Sequence, residues 1–142
     1  MTPDERRAIE WDVTRLIHRY VNLNDAGDWA GVAALYTDGG SLRRPSGGEP
    51  VAGREAILAA FLARPPRAQR HVIANTVVDV VSKVEATAFS VIVLYMGDAA
   101  EDGGLPAKAA NSPLIGTFTD RVVLTDDGWK FAERLGGLDF RP

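Results

Sequence analysis

The sequence predicts an α+β domain with helices on one face of an antiparallel sheet, and three observations predict it. Between Ile9 and Val21 apolar residues recur every three or four positions, the period of a half-buried helix. From Gln69 onward the period drops to two, the spacing of strands. Asp126-Asp127-Gly128 separates two such runs, and Asp-Gly in that setting favours a tight hairpin. Helices first and a meander afterwards give the α+β arrangement.

The first helix is expected to start with Thr2 as N-cap, Pro3 at the first helical position, and Asp4 and Glu5 complementing the helix dipole. Its core stripe is Ile9, Val13, Leu16, Ile17, Tyr20 and Val21, with His18 on the solvated side, and it ends near Asn24 or Asp25 because Gly27 suits a left-handed C-terminal position. Asp28 reads as the N-cap of a short helix running to about Tyr36, where Asp38-Gly39-Gly40 stops it. Ser41 to Arg44 reads as a short strand and Pro45 to Pro50 as a loop. Gly53 opens a third helix with Ile57, Leu58, Phe61 and Leu62 on its apolar face, ended by Arg64-Pro65-Pro66-Arg67. Arg70 to Val81 alternates, with His71, Ile73, Asn75, Val77, Asp79 and Val81 on one face, and Ser82-Lys83 turns the chain into Val84 to Met96. Gly97 to Pro113 is a polar connection, and Leu114 to Thr125 and Trp129 to about Phe140 form the last hairpin.

Composition narrows the function. At 142 residues the chain fits one domain, 1–142, large enough to bury a core without staples. It has no cysteine, which removes thiol nucleophiles and cysteine zinc sites and is compatible with a reducing compartment. A net charge of -3 and a pI near 5.3 argue against a nucleic-acid partner. The longest apolar run, Ala56 to Ala63, is far short of the ~20 residues that span a bilayer, and the acidic start is unlike a signal peptide. A soluble cytoplasmic protein without membrane partners is the expectation. With two histidines a metal site would need mostly carboxylates, and no spacing suggests one. There is no Gly-Lys-Ser/Thr phosphate loop and no Gly-x-Ser-x-Gly elbow. Arg64, Arg67 and Arg70 make a basic patch that reads as a solvated loop.

Five stretches carry a resemblance: Arg19-Tyr20 through Asp25-Ala26-Gly27-Asp28-Trp29, Ala34-Leu35-Tyr36-Thr37-Asp38, Gly53-Arg54-Glu55-Ala56-Ile57, Arg70-His71-Val72-Ile73-Ala74-Asn75, and Asp127-Gly128-Trp129-Lys130-Phe131. In that order and spacing they resemble the SnoaL-like group of the nuclear transport factor 2-like superfamily, over roughly residues 9 to 140. The resemblance implies a cone-shaped α+β barrel, in which a strongly bent antiparallel sheet wraps the long first helix and leaves an internal apolar pocket. Asp25 followed by Asp28-Trp29 is similar to the stretch of scytalone dehydratase that carries an active-site aspartate, and Arg70 to Ile73 resembles the strand carrying one of its histidines. The second histidine of that enzyme has no counterpart here, since His18 lies on the wrong helix face. Tyr20 matches the spacing of the oxyanion-binding tyrosine of ketosteroid isomerase, but Arg43-Arg44-Pro45 stands where the resemblance would put its general-base aspartate.

The resemblance puts Asp25 and His71 in one pocket. An aspartate hydrogen-bonded to one imidazole nitrogen fixes the tautomer and leaves the other nitrogen to move a proton. Tyr20 and Asn75 are then the donors to an enolate oxygen. Trp29, Tyr36, Tyr95 and Phe118 are the aromatic candidates for substrate contact, with core packing as the other role open to such rings. Asp25 finishing the helix and His71 as a core histidine are the corresponding alternatives, and Arg134 either projects into the cavity or pairs at the surface with Glu133. The expected function is a cofactor-independent lyase or isomerase, a dehydratase being one form, acting on a hydrophobic cyclic or polyketide-like molecule through the Asp25–His71 pair. The alternative is a noncatalytic ligand-binding or assembly subunit, similar to the small subunits of ring-hydroxylating dioxygenases. A homodimer or homotrimer is expected on the same resemblance.

Overall fold

Thr2 and Glu5 close a capping box at the head of the longest helix: the Glu5 amide donates to the Thr2 hydroxyl at 3.1 Å and the Thr2 amide to Glu5 Oε2 at 2.8 Å. The computed structural model describes residues 1–110 and 112–140. Asn111, within the expected connection Gly97 to Pro113, and Arg141 and Pro142 of the expected domain lie outside them. Helix α1 spans Pro3–Asp25 and buries the expected stripe of Ile9, Val13, Leu16, Ile17, Tyr20 and Val21, together with Asn24. It ends at Ala26, where Gly27 takes φ +72°. None of the helices among the described residues is long and apolar enough to cross a membrane.

Helix α2, Trp29–Ala33, is capped by Asp28, whose Oδ1 accepts from the Gly31 amide at 2.9 Å. It is shorter than the helical spacing suggests, because Tyr36 already belongs to strand β1, Tyr36–Arg43. Pairing wins there over helix propensity: the Phe131 amide donates to the Leu35 carbonyl at 2.8 Å, and Tyr36 stands opposite Phe131. Asp38-Gly39-Gly40 therefore lies inside a strand. Its register slips between Tyr36 and Ser41, and a Cβ on Gly40 would sit 2.9 Å from the Phe131 carbonyl. Strand β2, Val51–Ala52, pairs antiparallel with β1, and α3, Arg54–Leu62, buries Ile57 and Phe61 while Leu62 faces solvent.

The remaining strands are β3 Ala68–Ser82, β4 Glu85–Asp98, the short β5 Lys108–Ala109 on the end of β4, β6 Leu114–Thr125 and β7 Gly128–Leu138. The sheet order is β2-β1-β7-β6-β4-β3. The sheet is strongly curled around α1, so the expected cone of a bent sheet enclosing a long helix is the fold. Two details differ from an antiparallel barrel. The β1–β7 pair is parallel, which makes the sheet mixed, and the curl leaves it unclosed. Val13, Ile17, Val32, Tyr36, Ile57, Val122 and Phe131 are fully buried between helices and concave face.

A bulge controls which residues of β3 face that core. Its register shifts between Ala74 and Val77, and Asn75 takes φ +51°. His71 and Ile73 point inward before the bulge and Thr76, Val78 and Val80 after it, while Asn75 is exposed. The expected common face of His71 and Asn75 is thereby broken.

Candidate active site

The end of α1 and the start of β3 meet because both are tied to one carboxylate. The His71 backbone amide donates to Asp25 Oδ2 at 2.8 Å, and His71 Nδ1 lies 2.5 Å from Asp25 Oδ1. The carboxylate is 2% exposed and the imidazole 11%, so neither is solvated as a surface group would be. Since an ionised carboxylate only accepts, Nδ1 carries the proton and Nε2 is the nitrogen left for chemistry. A guanidinium nitrogen of Arg70 stands 3.9 Å from Asp25 Oδ2, adding positive charge on the outer side.

His71 lines a cavity of about 290 Å³. Its walls are largely apolar, including Val21, Leu42, Ile92, Leu94, Phe118 and Leu138. Tyr20 lines it as well, with its hydroxyl 2.7 Å from that of the fully buried Tyr36. Burial raises both phenols above their ordinary pKa, Tyr36 well above, so each keeps its proton at neutral pH.

Behind Tyr20 and Phe118 lies a charged pair with no access to water. Arg134 Nε and an amino nitrogen donate to the two Asp120 oxygens at 2.7 and 3.0 Å, and both side chains are fully buried. The guanidinium carbon is 4.4 Å from the Tyr20 ring centre, 3.9 Å from that of Phe118 and 4.3 Å from that of Phe131. Burial opposes its charge, but Asp120 outweighs burial and the Arg134 pKa goes up. Burial likewise pushes the Asp120 carboxyl up against the pull of Arg134. The partner of Arg134 is thus Asp120 and not Glu133. Asp120 alternates with Phe118 and Val122 on the inward face of β6, an acid in a core register, which is the signal that betrays it.

The other candidates separate. Asn75 is exposed on its bulge, away from the cavity. Trp29 does not line the cavity, but stacks on Phe61, which does, at 5.2 Å and 7° between planes. Tyr36 supports Tyr20 from below. Tyr95 is 54% exposed and borders a shallow depression of about 400 Å³ shared with Asp25 and Arg70. Among the described residues, no group of three or more histidine, aspartate or glutamate side chains is arranged to hold a metal.

Sequence reasoning missed a second set of cavity residues. Arg44, Arg64 and Arg67 all line it, and Gln69 and Asn24 tie Arg64 and Arg67 to α1. Arg64 is half-buried, with its guanidinium carbon 5.4 Å from the Trp29 ring centre and 5.5 Å from that of Phe61, so it is not part of a solvated loop. The signal was its position one turn past Phe61, on the face that packs inward.

A sequence profile described as "SnoaL-like domain" matches residues 5–135. Among solved structures, a provisionally assigned scytalone dehydratase from Novosphingobium aromaticivorans superposes with a TM-score of 0.81 at 21% identity, over 98% of this chain and 89% of that one. A single-residue variant of a protein of unknown function from Mycobacterium tuberculosis gives 0.76 at 26% identity, over 99% and 78%. A ketosteroid isomerase-like protein from Erwinia carotovora atroseptica gives 0.72 at 17%, over 92% and 95%. No curated protein matches the chain in sequence.

Proposed function

The chain belongs to the SnoaL-like domain family, and from that premise we propose that it is a small acid-base enzyme, a dehydratase or isomerase, acting on a hydrophobic cyclic or polyketide-like molecule held in the cavity. The observation that carries this reading is the 2.5 Å contact of His71 Nδ1 with a buried Asp25, on a histidine that lines an apolar cavity. The likeness to the provisionally assigned scytalone dehydratase and to the ketosteroid isomerase-like protein supports the reaction class without fixing it.

In this reading neutral Nε2 takes a proton from the carbon next to a carbonyl, and Asp25 stabilises the imidazolium that forms. The Tyr20 hydroxyl, kept protonated by burial, donates to the oxygen on which negative charge develops. In a dehydration the enolate then expels the β-hydroxyl, and the imidazolium hands its proton to it as water leaves. In an isomerisation the same proton returns to a different carbon. Both sequences balance with side chains alone and require no cofactor. General acid-base help of this kind contributes roughly 10²- to 10⁴-fold.

The test is turnover of β-hydroxy ketones and β,γ-enones on one- and two-ring scaffolds. His71→Ala and Asp25→Asn are expected to lower kcat/KM by roughly 10²- to 10⁴-fold, with circular dichroism showing the fold retained. Undiminished activity in His71→Ala would sink the proposal.

A further inference from the structure

Three guanidinium groups line one apolar cavity, and among the described residues none of them has a carboxylate within ion-pair distance. Arg44 and Arg64 are half-buried, and Arg44 Nε is buried without an acceptor. Arg64 and Arg67 share one acceptor, Gln69 Oε1, at 3.1 and 2.8 Å. Gln69 has nothing more to give, since its amide nitrogen is taken by the Asn24 carbonyl at 3.0 Å and Asn24 Oδ1 at 2.6 Å. The amide therefore fixes the two arginines against the end of α1 without neutralising them. Ring faces hold the cluster from the apolar side: Arg44 lies 5.8 Å from the Phe61 centre, and Arg64 stands over Trp29 and Phe61.

Such an arrangement is unfavourable by itself. Burial, then Arg67 and Arg44, lower the Arg64 guanidinium to about 10. Arg67 is lowered by burial and by Arg44 as well. A chain with net charge -3 has acids to spare, yet none is ion-paired with these arginines, and Asp25 only partly offsets the shift at Arg67 from beyond contact distance. The exposed Ser46, Pro65 and Arg67 mark the opening of the cavity, so the cations sit where a ligand enters while the walls behind them are apolar.

We propose that the molecule taken into this cavity is an organic acid, an apolar ring system bearing a carboxylate that Arg44, Arg64 and Arg67 hold at the opening. Arginine forks match the two oxygens of a carboxylate. A singly charged group also suits a partly dehydrated rim better than a doubly charged phosphate, whose water is costlier to remove. The assignment rests on the cavity being the substrate site and names the substrate class for it.

The experiment is calorimetric titration of the intact protein with 2-naphthoate and with its neutral counterpart 2-naphthamide, at low salt. Naphthoate is expected to bind at least about tenfold more tightly than the amide. Arg44→Gln and Arg64→Gln should each remove most of that preference, and added salt should shrink it. Unchanged amide binding in these variants shows that the cavity survived the substitution. Equal affinity for acid and amide overturns the proposal. So does failure of both to bind at millimolar concentration, or a preference that persists in the triple Arg44→Gln/Arg64→Gln/Arg67→Gln variant. None of these readouts uses turnover, and Asp25→Asn should keep the charge preference. Loss of the preference with intact His71-dependent turnover removes the carboxylate alone, whereas an intact preference without His71-dependent turnover removes the catalytic reading alone.

Discussion

At the scale of single residues, Tyr20 shows how the site is built from burial rather than from charge at the reacting atoms. Its hydroxyl faces Tyr36 at 2.7 Å, and burial raises both phenols. A raised folded pKa means that stability is fully present below the unfolded value of about 10 and is lost as pH climbs through the folded value. Urea midpoints measured from about pH 9 to about pH 11 should therefore fall for the wild type. The double variant Tyr20→Phe/Tyr36→Phe, which removes both hydroxyls at once and leaves no orphaned partner, should fall less. The helix end at Asp25 and the strand start at His71 were legible from local patterning, but their contact was expected only through the family resemblance, since forty-six residues separate them in chain order. Asp120 was not legible, since its meaning depends on Arg134, fourteen residues away in chain order. The arginines of the opening were hidden for a related reason: a short basic run looks solvated until the helix before it is turned so that Phe61 faces inward.

At the scale of elements, the strand alternation was right until a bulge changed its phase. Asn75 holds φ +51°, where a β-branched side chain is strained, so Asn75→Val should cost about 1–2 kcal/mol by chemical denaturation. Asn75→Gly should cost nothing or stabilise slightly, because glycine enters that region freely. Equal stability of the two variants would mean that the bulge does not set the register of β3. The Thr2 N-cap, Gly27 and the Asp-Gly hairpin were legible because each works within four residues, whereas the reach of Glu5 back to the Thr2 amide appears only in the structure. Residues 36–40 were not legible, since what makes them a strand is β7, nearly a hundred positions later. Gly136 belongs to the same long-range set. A Cβ there would meet the Pro45 nitrogen at 2.5 Å and the Arg43 carbonyl at 2.8 Å, so its absence lets the segment carrying Arg44 lie directly on β7.

At the scale of the whole molecule, the curled sheet hides one face and displays the other. On the convex side Val77 stands opposite Phe89, Val72 opposite Val93 and Ala74 opposite Val91, with Val77 58% and Phe89 44% exposed. An apolar patch crossing neighbouring strands is what a subunit contact uses. Sedimentation at micromolar concentration should give a dimer or trimer, and Phe89→Lys should shift it toward the monomer; a monomeric wild type would contradict this. The cone itself was legible from the order of motifs, but its mixed, unclosed edge was not, because parallel pairing of β1 with β7 leaves no hairpin signature. That pairing also governs how the chain is made. β7 is the last strand in chain order yet lies inside the sheet, between β1 and β6. During translation the ribosome can deliver α1, the cavity loops and five or six strands and still lack the piece that joins the two halves. At about 5–20 residues per second β3, the strand α1 packs on most closely, precedes β7 by a few seconds or more, so α1 has a partner before the sheet around it is complete. The two halves of the sheet, β2-β1 on one side and β6-β4-β3 on the other, therefore stay unjoined until residues 128–138 are made and can pair with both β1 and β6.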